Sequence, residues 1–315
     1  MALQRDARYP GRWTAASGGH PQGAFKNRTA PGSLDGSYIE QDWANDWDGY
    51  FSSLLSAASI TPNGNVDAVG ASQYYSALAL VIKAQASGRL IRTTIYRNNA
   101  GTLQASVDGG AYANVSSTFT KHPDAVFAEG EVLGGGASGA NAALTGGAQV
   151  SAGPGGGGGG WSFIRRPIAS FNGVTITVGA GGTASANQAG ASSAIGALIT
   201  ATGGVAVSTG AAASATNIPF GISDGGVGSG GDINSNGGVG QWALYSTTPQ
   251  SGTGGGSKYG FGPTGVGGAA TTGTLGNNAV SPGTGGSGAA CGNSVAAPKA
   301  GGAGAAGLVI IREYQ

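Results

Sequence analysis

The hydrophobic pattern changes period twice along the chain. Ile39, Trp43, Trp47, Tyr50, Phe51, Leu54, Leu55 and Ala58 recur at steps of three and four, the spacing of one face of an α-helix. Ser37-Tyr-Ile-Glu40 matches a capping box, in which the serine hydroxyl accepts from a free amide and the glutamate reaches back. The helix is therefore expected to begin at Ser37 and to stop before Pro62-Asn-Gly-Asn65. A second, shorter helix is expected from about Ser72 to Ala86, with Tyr75, Leu78, Ala79 and Ile82 on one side. From residue 89 the period drops to two, in Arg89-Leu-Ile-Arg-Thr-Thr-Ile-Tyr-Arg97 and Phe119-Thr-Lys-His-Pro123, with Asn98-Asn-Ala-Gly101 and Asp108-Gly-Gly110 as turns. Ala125-Val-Phe-Ala-Glu-Gly-Glu-Val-Leu133 reads as a further strand that runs into Gly134-Gly-Gly136.

Beyond Gly134 neither period survives. Glycine recurs often, though not strictly, at every third position: Gly153, Gly156, Gly159; Gly225, Gly228, Gly231; Gly262, Gly265, Gly268; Gly301, Gly304, Gly307. A three-residue repeat matches the extended polyproline II helix, one side of which is then bare enough for a neighbour to approach closely. The runs are short, and 12 prolines in the whole chain are too few for collagen. Each ordered glycine costs about 0.5–1 kcal/mol more than alanine, and a hydrogen bond returns about 1 kcal/mol net. Such a region folds only if nearly every peptide group is bonded and apolar strands add burial. Gly173-Val-Thr-Ile-Thr-Val178, Ile195-Gly-Ala-Leu-Ile-Thr200 and Leu308-Val-Ile-Ile311 are the expected strands, and a disordered coat segment would lack them.

The 65 glycines lie mostly in this second half, where charge is sparse: no Asp, Glu, Lys or Arg occurs between Arg166 and Asp224. The uncharged stretch is too broken by polar residues for a membrane span, and the N-terminus lacks a signal-peptide apolar run, so synthesis in a cytoplasm is expected. Cys291 is the single cysteine and is expected to be a small buried residue without a disulfide partner. His20 and His122 have no acidic partner at ligand spacing, and no metal, cofactor or phosphate-binding loop is indicated. Arg165, Arg166 and the N-terminal basic residues are too scattered for nucleic acid.

Residues 1–36, rich in Pro, Gly and Arg, read as an extended arm whose Tyr9, Trp13 and Phe25 are expected to anchor on another surface. The two helices cannot bury Trp43, Trp47, Phe51 and Leu54 against each other alone, which points to oligomerisation. Asp42, Asp46 and Asp48 form either a solvated acidic face or a seat for the basic arm of a neighbouring subunit.

Pro21-Gln-Gly-Ala-Phe-Lys-Asn-Arg-Thr29, Asp35-Gly-Ser-Tyr-Ile-Glu-Gln-Asp-Trp-Ala-Asn-Asp-Trp47 and Val69-Gly-Ala-Ser-Gln-Tyr-Tyr75 resemble the N-terminal region of tail fibre proteins of tailed bacteriophages and prophages. Glu131-Val-Leu-Gly-Gly-Gly136, the glycines before Trp161, Val174-Thr-Ile-Thr-Val-Gly-Ala-Gly-Gly182, Ala201-Thr-Gly-Gly204 and Gly304-Ala-Ala-Gly-Leu-Val-Ile-Ile311 resemble the glycine-rich domain that ends such fibres. The resemblance implies a homotrimeric virion protein, a receptor-binding tail fibre that attaches the virion to its host; the sparse acids of the glycine-rich half lead to the expectation that it is not an enzyme. Residues 1–88 would dock to the tail or baseplate, 89–133 would form a β-rich connector, and 134–315 would meet a bacterial surface glycan or protein. The implied fold class is mixed: an extended arm and helices, a small β region, and short polyglycine helices framed by strands. Loops between glycine runs would make the contacts, with Phe220, Trp242, Tyr245, Tyr259 and Phe261 as candidates because exposed aromatics dominate interfaces. Trp161 and Phe163 are expected to belong to the scaffold.

Two other functions compete. Some phage fibres cleave polysaccharide with paired carboxylates, and Asp224, Asp232 and Glu313 are the only acids after residue 134. A purely structural glycine-rich protein is the second rival, and it leaves the fibre-like N-terminal passages unexplained.

Overall fold

A computed structural model describes residues 4–21, 23–85 and 88–315. Gln22 of the arm and Ala86, the expected end of the second helix, lie outside the described residues. The chain divides into two compact units, 1–87 and 88–315.

The first unit opens with one helical turn, Arg5–Arg8, and an antiparallel pair of two-residue strands, Trp13–Thr14 and Ala24–Phe25. Helices α1 (Gln41–Ala57) and α2 (Gln73–Gln85) follow. The capping box expected at Ser37 does not form. Glu40 is the N-cap, without a side-chain bond, because the Ser37 hydroxyl is occupied elsewhere: it accepts from the Lys26 amide at 2.9 Å and donates to the Arg12 carbonyl. Ser37 thus ties the arm down instead of starting a helix. The other end of α1 closes as a Schellman motif. Ser59 takes the left-handed conformation (φ 54°), its amide reaches Ser56, and the Ile60 amide reaches Leu55. Helix α2 has the better start: the Ser72 hydroxyl accepts from the Tyr75 amide at 3.0 Å, and the Asp67 carboxylate accepts from the Gln73 and Tyr74 amides.

An aromatic ladder joins arm to helices. Ring centroids step from Trp13 to Phe25 (4.4 Å), Trp43 (5.8 Å), Trp47 (5.8 Å), Phe51 (6.0 Å) and Tyr74 (4.6 Å). Tyr9, Trp13, Leu55 and Ala77 are its buried apolar side chains among the described residues, whereas Trp47, Tyr50, Tyr75 and Ile82 stay exposed.

The second unit consists mainly of small antiparallel sheets. Seven strands make the largest: β1 (Leu90–Asn99), β2 (Thr102–Val107), β3 (Ala113–Asn114), β4 (Phe127–Leu133), β5 (Trp161–Pro167), β6 (Ile233–Ser235) and β7 (Leu308–Tyr314). Their order is β6-β5-β4-β7-β1-β2-β3, antiparallel throughout. The last strand of the chain therefore sits at the centre, between β4 and β1. Residues 89–133 form no separate connector, since β1 and β4 are bridged by β7 from the far end of the sequence. The β1–β2 hairpin closes on Ala100 and Gly101, both at positive φ (50° and 87°), the conformation whose twist matches a two-residue hairpin loop.

One face of this sheet meets a four-stranded sheet containing Ile176–Thr177, Ser193–Ile195 and Ile199–Ala201. Val132, Ile164, Val309 and Ile311 pack there with Phe119, Phe171, Ile176, Ile195 and Ile199. The single strand expected over 195–200 is instead a hairpin: Gly196 (φ 49°) and the Leu198-to-Ile195 turn bond fold the segment back on itself. Phe119 lies in the core but in no strand.

Residues 131–140, 150–162 and 283–292 are buried throughout although most carry little side chain. Along 134–140 the amides donate to three neighbouring segments in rotation. Gly134, Ala137 and Ala140 bond Gly160, Gly157 and Pro154; Gly135 and Ser138 bond Ala191 and Gln188; Gly136 and Gly139 bond Ala305 and Gly302, all at 2.9–3.0 Å. Residues 153–160 repeat the scheme, with Gly153, Gly156 and Gly159 bonding Ala289, Gly286 and Gly283. Gly155 and Gly158 bond Gln241 and Gly238, while Gly157 and Gly160 bond Val205 and Thr202. Partner numbers fall by three as donor numbers rise by three, so each of these neighbours runs antiparallel. The approach is very close: a Cβ on Gly136 would lie 2.0 Å from the Thr284 carbonyl oxygen.

Candidate functional site

Along β4 the outer face of the large sheet carries aromatic and charged side chains, where the inner one is mainly aliphatic. Phe127, Glu129 and Glu131 of β4 alternate with the inward Ala128, Gly130 and Val132, and side chains stack across strands there. Phe127 stacks on Tyr314 (4.9 Å, 5° between planes), Arg165 covers Phe127, and the Tyr314 hydroxyl donates to Glu129 at 2.9 Å.

Glu131 is the hub of this face. Its Oε1 accepts from Arg312 Nη1 at 2.6 Å; its Oε2 accepts from the Tyr259 hydroxyl at 2.7 Å and from Trp161 Nε1 at 3.1 Å. Lys258 Nζ stands 3.8 Å from the same Oε2 and 3.3 Å from the centroid of the Trp161 ring. Burial opposes ionisation of Glu131, but the bonds from Arg312, Tyr259 and Trp161 outweigh it and hold the carboxyl below its ordinary range. Burial and the adjacent carboxylate together push the Tyr259 phenol up.

These bonds fix a loop. Tyr259 is pinned to Glu131, the Ser257 hydroxyl donates to the Pro282 carbonyl at 2.6 Å, and Ser257 and Gly260 exchange backbone bonds. Phe261, next along, is 95% exposed. The loop forms one wall of a groove of about 750 Å³, lined also by Trp161, Asn236, Gln241, Thr253 and Thr264 over a floor of glycine backbone.

The expected contact residues separate accordingly. Phe261 projects into solvent beside the groove. Tyr259 is half-exposed, but its hydroxyl is committed to Glu131. Trp242 and Phe220 belong to a second patch, where Ile218–Phe220 pairs with Ala243–Tyr245 and leaves Ile218, Phe220, Ile222 and Trp242 exposed. Tyr245 does not belong among surface contacts: it is 4% exposed, carries the edge of the Phe220 ring at 5.5 Å and donates to the Ala211 carbonyl at 3.0 Å. Ala243 and Tyr245 both turn inward from this strand, and the exposed Trp242 lies just before it. Trp161 is buried and Phe163 stacks on it at 6.4 Å.

In the first unit, Tyr9 and Trp13 are buried within their own unit rather than offered to another surface, whereas Phe25 and Trp47 are exposed and Trp43, Phe51 and Leu54 half-buried. Arg8 of the arm pairs with Asp42 of the same chain, so this acidic position is met from within.

Asp232 accepts from Arg166 Nη1 at 2.7 Å and from the Arg165 amide. Glu313 is fully buried, pairs with Arg92 and accepts from the His122 amide at 2.6 Å. Cys291 is buried. Among the described residues no group of three or more His, Cys, Asp or Glu is placed to hold a metal, and no helix is long and apolar enough to cross a membrane. A scan against protein-family models and a search of curated proteins both return no match.

No local motif marks the Glu131 cluster, because β4 reads there simply as a strand entering glycine. The available signal was an acid flanked by valine and glycine in a strand, together with Arg312 in the closing strand, two residues from the position facing Glu131.

Proposed function

We propose that the protein is an adhesive fibre of a phage tail: the first unit attaches and trimerises, and the second presents contact residues to a bacterial surface. The reading rests above all on one observation. Exposed aromatics such as Phe261 and Trp242 stand on short loops whose bases are tied into a backbone-bonded scaffold, an arrangement that lets contact residues vary while the spacing is kept. The scaffold itself is proposed to be a bundle of polyproline II-like helices. Donation to three neighbours in rotation is what a three-residue screw produces, and the Cβ approaches near 2 Å explain the glycine density.

The exposed Trp47, Tyr50, Tyr75 and Ile82 on α1 and α2 favour further copies of the chain, or a tail protein, as the cover for the first unit. The virion tail is then the site of action. Polysaccharide cleavage is the weaker reading, since Asp232 and Glu313 are each engaged by an arginine. The test is to incubate fluorescently labelled full-length protein with a panel of bacterial strains and read binding by flow cytometry, beside sedimentation of the same sample. Strain-selective binding by a trimer is expected. A monomer that labels no strain would refute the proposal.

A further inference from the structure

Four polar residues line the groove beside Phe261 with no side-chain hydrogen bond among the described residues. They are Asn236, Gln241, Thr253 and Thr264; among the described residues none of their side-chain amides or hydroxyls takes part in a hydrogen bond, although backbone groups of the same segments are bonded. Planar amides and hydroxyls ranged round a hydrophobic ring are the donor and acceptor set that meets a sugar's hydroxyls while its C–H face lies on the ring. The glycine floor adds to this: Gly238, Gly254, Gly256 and Gly262 put bare backbone where a ligand ring can come close.

The groove also has a sign. Among the described residues that line it, Lys258 is the one charged residue and no carboxylate occurs. Its ammonium is fixed over Trp161 and is only partly offset by Glu131 at 3.8 Å, because Arg312 already claims the other carboxylate oxygen. With Glu131 already accepting from Arg312, Tyr259 and Trp161, the Lys258 side chain stays 42% exposed and offers its charge to this end of the groove.

From these observations we propose that the groove between the 257–262 loop and residues 235–241 binds an acidic saccharide, with the sugar ring against Phe261 and its carboxylate or phosphate substituent at Lys258. The inference rests on the adhesion reading and gives it a chemical class. The wall that holds the ligand is preformed, since Tyr259 and Ser257 lock the loop before anything binds.

The experiment uses the full-length protein on an array of bacterial surface oligosaccharides that pairs acidic members, bearing uronic acid or phosphate, with neutral members of equal length. Binding to acidic members is expected, weakened about tenfold by Lys258→Gln and restored largely by Lys258→Arg, as for a charge-assisted hydrogen bond. Phe261→Ser should weaken it by a similar factor, whereas Val280→Ser, at an exposed position outside the groove lining, should leave it unchanged. Thermal melting of each variant separates lost binding from lost folding. Binding confined to neutral sugars, or indifference to both groove substitutions, would overturn the proposal. Cell binding without any array signal would overturn it too, pointing to a protein receptor while leaving adhesion intact. Absence of both signals would count against adhesion itself.

Discussion

Among the described residues of the first unit, what is buried is mainly side chain: Tyr9 and Trp13 of the arm, Leu55 and Ala77 of the helices, beside a ladder of rings from Trp13 to Tyr74. In residues 134–140 and 153–160 what is buried is peptide, each amide bonded to one of three neighbours and few side chains larger than a methyl group. Side-chain burial tolerates exchange of similar shapes, because neighbouring rotamers adjust. Backbone packing has no such slack: the atom an added methyl would meet is a carbonyl oxygen already engaged in a neighbouring segment. Helix α1 of the first unit and the glycine segments of the second should therefore respond to the same kind of substitution with opposite signs.

The largest effect is expected at Gly136. A valine there would drive its Cβ to 2.0 Å from the Thr284 oxygen and 2.3 Å from its carbonyl carbon, so two segments must separate and buried bonds on both sides are lost. Destabilisation of about 3 kcal/mol or more is expected, read as a fall in denaturant midpoint or as failure to recover soluble protein. A midpoint within error of the parent would mean that these segments are not packed as described.

Breaking the hub of the outer sheet face should cost less. Glu131→Gln leaves Arg312 without its carboxylate, and because Arg312 keeps some access to solvent the expected loss is about 2 kcal/mol. The same cluster gives a pH signature. Glu131 is held below its ordinary value near 4.5, so its contribution is present above that value and disappears as acid carries the pH down through the lowered one. Tyr96 acts at the other extreme. Burial, with Glu313 adding and Arg92 opposing, pushes its phenol from 10.0 up to about 12. Its contribution is complete below pH 10 and is lost as the pH rises towards about 12. Equilibrium unfolding of the parent and of Glu131→Gln at pH 3 and pH 7 should show the difference between them shrinking at the lower pH.

A cap is worth less again. The Ser72 hydroxyl accepts from the Tyr75 amide and donates to Asp67, and Ser72→Ala should cost about 1 kcal/mol, seen as a lower melting temperature with little change in final helicity by circular dichroism.

How much of this was readable depended on whether the determinant was local. The stripe from Trp43 to Leu55 located α1, Asn98 to Gly101 located the β1–β2 turn, and Leu308 to Ile311 located the closing strand, because each signal lies within its own element. Ser37 misled because its hydroxyl bonds Arg12 and Lys26, residues 25 and 11 positions away, and no local motif reports such a competitor. Ile195 to Thr200 misled for the reverse reason: a run of apolar residues resembles one strand until Gly196 is known to turn. The period of three in glycine was visible, but which segments exchange bonds was not, since glycine carries no side chain to specify a partner. At the candidate site, Phe261 was legible as an exposed aromatic in a turn. The anchoring of Tyr259 by Glu131, 128 residues earlier, was beyond any local reading.

The smallest expected effect sharpens the comparison most, because it reverses the sign found at Gly136. Gly49 lies inside α1, is exposed, and has no atom within 4 Å of the position where a Cβ would be added. Alanine there loses nothing by steric conflict and restricts the unfolded chain, so Gly49→Ala should stabilise the first unit by about 0.5–1 kcal/mol. The measurement is the melting of the full-length protein followed by helical circular dichroism, which reports chiefly α1 and α2, beside tryptophan fluorescence. A helical transition that rises with an unchanged oligomeric state would establish that Gly49 is a local concession, removable without consequence elsewhere. A fall in stability, or loss of assembly at unchanged helicity, would mean that a neighbouring copy presses against Gly49 as closely as Thr284 presses against Gly136, and both units would then use glycine for the same purpose.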